Sequence, residues 1–250
     1  MRNELVVKDE LVAALDKAAE NGLMAQQETS HFKRVFLLAG ATQELRNLLT
    51  PEVMRPIMAL QNTNLGFKTD RKDGYPEDVV RDCVIAAALS GVYVVGNEMN
   101  IIAGQAYITK NGFGHKLKDI QEHGYEPRSI KSFGWLENPS VPTTNKEGSG
   151  ALIPYGLEWT INGKKFEKTL PLAIRVNSGM GPDAIIGKAS RKARAWLYSA
   201  ITGMEFADAD ADDCTIVDGE VVAESNAKNV SPFEKQPAAA EETQQDQLPM

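Results

Sequence analysis

Two strand-like segments joined by Asn162-Gly163 constrain the fold of this chain more than any other stretch. In SGALIPYGLEWTINGKKFEKTLPLAIRV, residues 149–176, apolar and polar side chains alternate on both sides of the dipeptide. Asn-Gly favours the tight turns with positive φ that join antiparallel strands. The sequence therefore predicts a β-hairpin and, with it, an antiparallel sheet.

Signals for helices and further strands precede this hairpin. The helices are predicted from apolar residues at helical spacing, from Pro at helix starts and from Gly beyond helix ends. They cover residues 8–21 (closed by Gly22), 31–39, 51 to about 62 (with Thr50 as N-cap), 76–91 and 109–124 (capped by Thr109). The segments VYVV (92–95) and MNIIAGQAYIT (99–109) are strand-like, whereas 136–150 is predicted to be a long mobile loop. Together with a late helix, this order of elements predicts one α+β domain.

The charge is unevenly distributed along the chain. The whole sequence has 27 basic and 34 acidic residues, a net charge of -7. Residues 205–250 hold two of the basic and twelve of the acidic residues, so they carry -10 while residues 1–204 carry +3. This last segment is also rich in Pro, Gln and Ala, a composition typical of disorder. We therefore predict a folded domain over 1–204 that can bind a polyanion, followed by a disordered acidic tail over 205–250.

Cysteine usage and hydropathy indicate a cytoplasmic protein. Cys83 lies in an apolar run and Cys214 in the acidic tail, which suggests neither a disulfide framework nor a metal-ligand pair. No apolar run approaches the length of a membrane span. The N-terminus, MRNELVVKDELVAAL, places acids where a signal peptide needs an apolar core. We expect a reducing compartment and no membrane association.

Residues 179–203, GMGPDAIIGKASRKARAWLYSAITG, predict a late helix with two different faces. Pro182 and Asp183 stand at its start. At about 100° per residue, one side collects the apolar residues Ile185, Ile186, Ala189, Ala193, Trp196, Leu197 and Ala200. The opposite arc collects four basic residues with no acid after Asp183 to neutralise them: Lys188, Arg191, Lys192 and Arg194. We predict that these four contact nucleic-acid phosphates, the alternative being a charged face that is only solvated.

The glycines that open this segment also raise the possibility of a nucleotide-phosphate loop. Such a loop has four residues between its last two glycines, followed by Lys and then Ser or Thr. Here five residues separate Gly181 from Gly187, and Ala189 stands where the hydroxyl belongs. A nucleotide loop is therefore the weaker interpretation, and we expect no cofactor.

Patterns for metal binding and covalent catalysis are weaker still. His31, His115 and His123 lack ligand spacing with each other or with Cys. The acidic run DADADD, 208–213, lacks the Gly and the closing Glu of a calcium loop. Local spacing supports no Ser/His/Asp or Cys/His arrangement. We expect no metal and no catalytic residue.

A second group of basic and aromatic residues lies between positions 107 and 135. Its basic members are Lys110, Lys116, Lys118, Arg128 and Lys131. Its aromatic members are Tyr107, Phe113, Phe133 and Trp135. Core packing is the commoner role for such aromatics. The alternative is base stacking beside phosphate contacts, for which Phe113 with the five basic residues is the candidate set.

Three stretches in a fixed order resemble a known family. LSGV closes a buried helix, YITKNGF leads from a strand into a helix, and KASRKARAWLY lies on the late helix ahead of an acidic tail. Over about residues 49–204 this order resembles the RecT/Redβ family of phage single-strand annealing proteins. The extended NSGMGPD entry to the late helix departs from the family's pattern.

The resemblance implies a small antiparallel sheet with packed helices, distantly similar to the Rad52 annealing core. It implies a phage protein in the bacterial cytoplasm that acts in DNA recombination and repair. Such a protein coats single-stranded DNA as an oligomeric ring or helical filament and anneals it to a complementary strand without ATP or covalent catalysis. In the family, basic residues of the late helix hold the DNA backbone; here these are Lys188, Arg191, Lys192 and Arg194. The implied partners are single-stranded DNA, further copies of the chain, a phage exonuclease and the host single-strand-binding protein.

Two other classes of function stay open on the sequence alone. A phosphate-binding or Mg²⁺-dependent nucleic-acid enzyme would use the Gly-rich turn or the carboxylates, and its turnover would depend on nucleotide or Mg²⁺. A phage adaptor protein would bind no DNA. Binding to single-stranded oligonucleotides separates the adaptor from the other two classes.

Overall fold

Helices occupy both ends of the described chain, and strands occupy its middle. The computed structural model describes residues 8–145 and 148–204. Its helices are α1 (Asp9–Gln27), α2 (His31–Leu48), α3 (Pro51–Met58), α4 (Glu77–Leu89), α5 (Lys110–His123) and α6 (Pro182–Thr202). Its strands are β1 (Met99–Ile102), β2 (Gln105–Ile108), β3 (Phe133–Pro139), β4 (Thr143–Thr144), β5 (Gly150–Ile161) and β6 (Lys164–Arg175). The tail predicted over 205–250 lies outside the described residues.

The main sheet is built around β5, the inner strand of the predicted hairpin. β3, β4 and β6 all pair antiparallel with β5. The turn between β5 and β6 has positive φ at both central residues, 50° at Asn162 and 82° at Gly163, as the Asn-Gly dipeptide predicts. β1 and β2 form a separate antiparallel pair. The predicted α+β class with a small antiparallel sheet and packed helices is therefore confirmed.

Helix α6 covers one face of the main sheet. Alternate residues of β5, among them Ile153, Tyr155 and Leu157, point to this face and are buried. The apolar side of α6 meets them with Ile185, Ala189, Ala193 and Leu197, all buried. The opposite face of the sheet is exposed at Leu152, Pro154 and Glu158. The sheet therefore has one covered face and one open face.

Two strand-level predictions are wrong. Residues 136–150, predicted as a mobile loop, contribute most of β3 and all of β4. The Pro, Asn and Gly of this stretch resemble loop composition, but Glu137 points to the covered face of the sheet, where Arg194 of α6 donates a hydrogen bond to it. Conversely, residues 92–95 form no strand, since the Val92 N–H bonds back to Ala87 at the end of α4.

The helix boundaries follow their local signals where tertiary packing does not override them. Thr109 caps α5, its hydroxyl accepting from the N–H groups of Asn111 and Gly112 as predicted. Gly22 does not end α1, which continues to Gln27. An added Cβ at Gly22 would lie 2.1 Å from Leu89 Cδ2, so this glycine permits close packing of α1 on α4. α2 also runs past the predicted end at residue 39, because Ala41 and Leu45 bury their side chains.

Candidate nucleic-acid interface

Helix α6 aligns two of its predicted lysines along the edge of β6. Lys188 and Lys192 are one helical turn apart and share a face of α6. Lys188 Nζ lies 3.5 Å from the Arg175 carbonyl oxygen, and Lys192 Nζ lies 3.2 Å from that of Ala173. Both lysines therefore extend across the last strand of the described sheet, beside the exposed Arg175.

An aromatic cluster, defined here as Trp159, Phe166 and Trp196, lies on the same side of α6 as these lysines. The ring of Trp159 stacks on Phe166 with centroids 5.6 Å apart and meets Trp196 edge-on at 5.9 Å. Each of the three rings is half-buried. The cluster thus keeps part of its aromatic surface accessible beside the sheet edge.

Two lysines of β6 lie over this cluster. Lys168 Nζ is 4.5 Å from the centroid of Trp196, and Lys164 Nζ is 5.2 Å from that of Phe166. Together with the two lysines of α6 they form a basic strip, defined here as Lys164, Lys168, Lys188 and Lys192. The strip ends at the backbone of Arg175, whose side chain points to the opposite face of the sheet. Eleven residue steps of β6, at about 3.3 Å each, give the strip a length of roughly 36 Å.

Arg194 does not belong to this strip. Its Nε donates to Glu137 Oε1 at 2.7 Å, and its Nη1 donates to the Lys110 carbonyl at 2.8 Å. The sequence prediction that no acid neutralises the basic face of the late helix is therefore wrong at this position. The pairing acid comes from β3, the strand that had been predicted as a loop, so local sequence could not reveal it.

Glu137 is the centre of a buried polar network. Burial acts to raise its pKa, but hydrogen bonds from Tyr155, Arg194 and Trp135 outweigh burial and hold the pKa of Glu137 below its ordinary value. Burial, and then the hydrogen bond to Glu137, raise the pKa of Tyr155 to about 12. Tyr155 also bonds to Ser190 of α6 at 2.9 Å. The network ties α6 to β3 and β5.

Arg191 is buried, which corrects the prediction that it lies on a solvated arc. Its Nε donates to the Ile108 carbonyl at 3.1 Å, and its guanidinium lies 4.1 Å from the centroid of Tyr107. A planar guanidinium can stack on an aromatic ring while its N–H groups bond in the ring plane, so it tolerates burial better than an ammonium does. Arg191 therefore joins α6 to β2 and α5.

The second predicted group, from positions 107 to 135, is not gathered into one surface. Phe113 is only 1% exposed. It therefore packs in the core, which is the commoner of the two roles considered for this aromatic, and does not stack on bases. Lys116 is also buried, donates to the Ser90 carbonyl and lies 4.8 Å from the centroid of Tyr198. Burial lowers the pKa of Lys116 to about 8.

The other four basic residues of this group are exposed but dispersed. Lys118 forms an ion pair of 3.4 Å with Glu122. Lys110 lies near Gly187 on the Arg191 side of α6, and Arg128 lies near Gly203 at the end of α6. Lys131 is exposed beside the turn of the main hairpin, its N–H bonded to Asn162. The structure does not bring these side chains to the basic strip.

The sequence prediction missed the contribution of β6. Lys164, Phe166 and Lys168 occupy alternate positions, and a strand places such residues on one face. This period-two pattern next to the Asn-Gly turn could have identified them. Among the described residues no three His, Cys, Asp or Glu side chains are grouped to hold a metal ion. The same part of the chain has no helix long and apolar enough to cross a membrane.

Comparison with known proteins adds no relative to this picture. No protein-family model, curated protein or solved structure matches the chain.

Proposed function

We propose that this protein binds single-stranded DNA along the basic strip and anneals it to a complementary strand without ATP, acting as an oligomer. The observation that carries the proposal is the combination of four cations with three half-buried aromatic rings along one sheet edge. Proteins that bind single strands without sequence preference combine a cationic path for the backbone with aromatic surfaces for the bases. A RecT/Redβ-like or Rad52-like annealing core, an acidic disordered tail and a cytoplasmic role in recombination are the finer parts of the same proposal.

The dimensions of the strip suit a short single strand. Its length of roughly 36 Å is enough for several nucleotides, in the range of about 4–16 nucleotides that single-strand sites occupy. Lysine ammoniums bind phosphates as point charges, and contacts to phosphates carry no sequence information. Binding should therefore be strongly salt-dependent and nearly independent of sequence, as annealing of arbitrary homologous strands requires.

The experiment compares single Lys→Gln variants in a salt-titrated binding assay with single-stranded oligonucleotides. Lys168→Gln, Lys188→Gln and Lys192→Gln should each weaken binding similarly for all sequences. Each should also flatten the plot of log affinity against log salt by about 0.7, the counterion-release value for single strands. Lys72→Gln, an exposed lysine in the loop before α4, is the matched control and should leave both quantities unchanged. Wild-type slopes in all three strip variants would contradict the proposal.

Annealing itself is tested with two complementary oligonucleotides and no nucleotide present. We expect duplex formation faster than the spontaneous rate, and equal rates with and without ATP. A strict requirement for ATP hydrolysis, or Mg²⁺-dependent turnover of the DNA, would instead favour an enzyme. No binding to any oligonucleotide would favour an adaptor protein.

A further inference from the structure

The first half of α2 exposes an apolar surface that the rest of the described chain, residues 8–145 and 148–204, leaves uncovered. All ten residues from 31 to 40 are exposed, whereas the second half of the helix buries Ala41 and Leu45. Phe32 is 72% exposed and Phe36 is 73% exposed. The apolar tip, as defined here, consists of Met24, Phe32, Val35, Phe36, Leu37 and Leu38, which are all exposed.

The size of the apolar tip indicates an interface. An aromatic side chain buries about 150–250 Å² when fully covered, so two phenylalanines exposed by seven tenths offer roughly 200–350 Å². Val35 shares the face of α2 that carries both phenylalanines and brings this face to roughly 300–400 Å². This reaches the range of about 300–600 Å² for the largest apolar patch of a typical monomer, which is often functional.

A groove on the same chain has the complementary character. It lies between α1, the end of α4 and α5, with a volume of about 810 Å³. Its apolar lining includes Leu23, Val92, Tyr93, Val94 and Ile120. Four exposed acids line it: Asp16, Glu20, Asp119 and Glu126.

Charge favours a match between the tip and this groove. The tip region carries Lys33 and Arg34 beside its two phenylalanines, with Glu28 as the neighbouring acid that pairs with Lys33. The groove carries the four acids named above against one lysine, the buried Lys116, and two histidines, His115 and His123. An apolar tip flanked by bases and an apolar groove flanked by acids complement each other when they belong to different copies.

We propose that the apolar tip of one protomer docks into the groove of a second copy, so that copies associate head to tail. Such heterologous contacts generate rings when the rotation between copies closes and filaments when it does not. This inference identifies the two surfaces through which copies would associate in the oligomer of the proposed function. It rests on the proposed function only for the biological purpose of that association. Its test needs no DNA, so the two proposals fail separately.

Sedimentation velocity over a range of protein concentrations is the test. Wild-type chain should form species larger than a dimer, and Phe32→Ser/Phe36→Ser should associate at least roughly thirtyfold more weakly, since central aromatic anchors carry most of the binding free energy of an interface. Leu65→Ser is the matched control, an exposed leucine at 79% in the loop after α3, and should assemble as wild type. Circular dichroism verifies the fold of each variant.

Mixing two assembly-defective variants distinguishes head-to-tail from symmetric contact. Phe32→Ser/Phe36→Ser keeps the groove, whereas Asp16→Lys/Glu20→Lys keeps the tip. Each should be monomeric alone, and an equimolar mixture should form a heterodimer and no larger species. A groove variant that still self-associates through α2 would overturn the head-to-tail contact, and so would a wild-type chain that stays monomeric up to about 100 μM, the range of very weak interfaces. Single-protomer binding of a short oligonucleotide along the basic strip should be the same in all of these variants.

Discussion

The ion pair between Arg194 and Glu137 sets Arg194 apart from Lys188 and Lys192, the two cations of α6 that we propose to bind DNA. Replacing Arg194 with Gln removes a charge-assisted hydrogen bond of 2.7 Å whose side chains are 25% and 15% exposed. A hydrogen bond to a charged group contributes about 1.5–3 kcal/mol, and breaking a fully buried pair costs about 3–5 kcal/mol. Glu137 keeps its bonds from Tyr155 and Trp135. We therefore expect Arg194→Gln to lower the free energy of unfolding by about 2–3 kcal/mol.

The assay is urea unfolding followed by tryptophan fluorescence at neutral pH. Glu137→Gln and the double variant complete a mutant cycle, which should give a coupling free energy of about 1.5–3 kcal/mol between the two side chains. Because the pKa of Glu137 in the folded chain lies below its ordinary value of 4.5, the stabilisation is present above about pH 4.5 and is lost as the pH falls through the lower, folded value. The stability difference between wild type and Glu137→Gln should therefore shrink only below that pH. An Arg194→Gln variant with wild-type stability but weaker DNA binding would refute this reasoning. Arg194 would then be a DNA-binding residue, as the helical wheel predicts.

Three further predictions test the packing and the tail. Arg191→Gln should lower the free energy of unfolding by about 2–4 kcal/mol, because it leaves a buried carbonyl and an aromatic ring without the guanidinium. Lys192→Gln should change the free energy of unfolding by less than about 0.5 kcal/mol, and the same urea titration compares the two variants. Gly22→Ala should destabilise the fold by about 1–3 kcal/mol, because the added Cβ clashes with Leu89. Gly40→Ala should stabilise the fold by about 0.5–1 kcal/mol, because nothing lies within 4 Å of its added Cβ, and thermal melts of both variants test this pair of predictions. Truncation after residue 204 should strengthen single-strand binding at low salt, since residues 205–250 carry -10; weaker binding or unfolding would show that this segment contributes to the DNA site or to the fold.

Elements with strong local signals could be predicted from the sequence. Thr109 predicts the start of α5 because its hydroxyl caps the helix within three residues, and Asn162-Gly163 predicts the main hairpin because the turn needs positive φ at both positions. Neither depends on distant parts of the chain. The bounds of α6 likewise follow from Pro182 at its start and from Gly203 after its end.

The candidate site could be predicted only in part, because a helical wheel gives an angle and not a neighbour. It places Arg191 and Arg194 on the same arc as Lys188 and Lys192, which is correct as geometry. It cannot show that the partner of Arg191 lies 83 residues away and that Glu137 lies 57 residues away from Arg194. Interactions at such separations depend on the tertiary fold, so a helical wheel could not reveal that these two arginines bond to distant parts of the chain.

The arginines of α6 bond to partners in β2, β3 and α5, whereas its lysines donate to carbonyls of the edge strand β6. This difference has a physical basis. A guanidinium offers five donors in a plane, so one side chain can satisfy a carboxylate and a carbonyl at once, as Arg194 does with Glu137 and Lys110. An ammonium on a flexible stem suits a phosphate that must be bound and released. Loss of Lys192 should therefore weaken DNA binding more than it loosens the fold, whereas loss of Arg194 should loosen the fold first. The separation of these two effects is what distinguishes a DNA-binding edge from a helix that is merely basic.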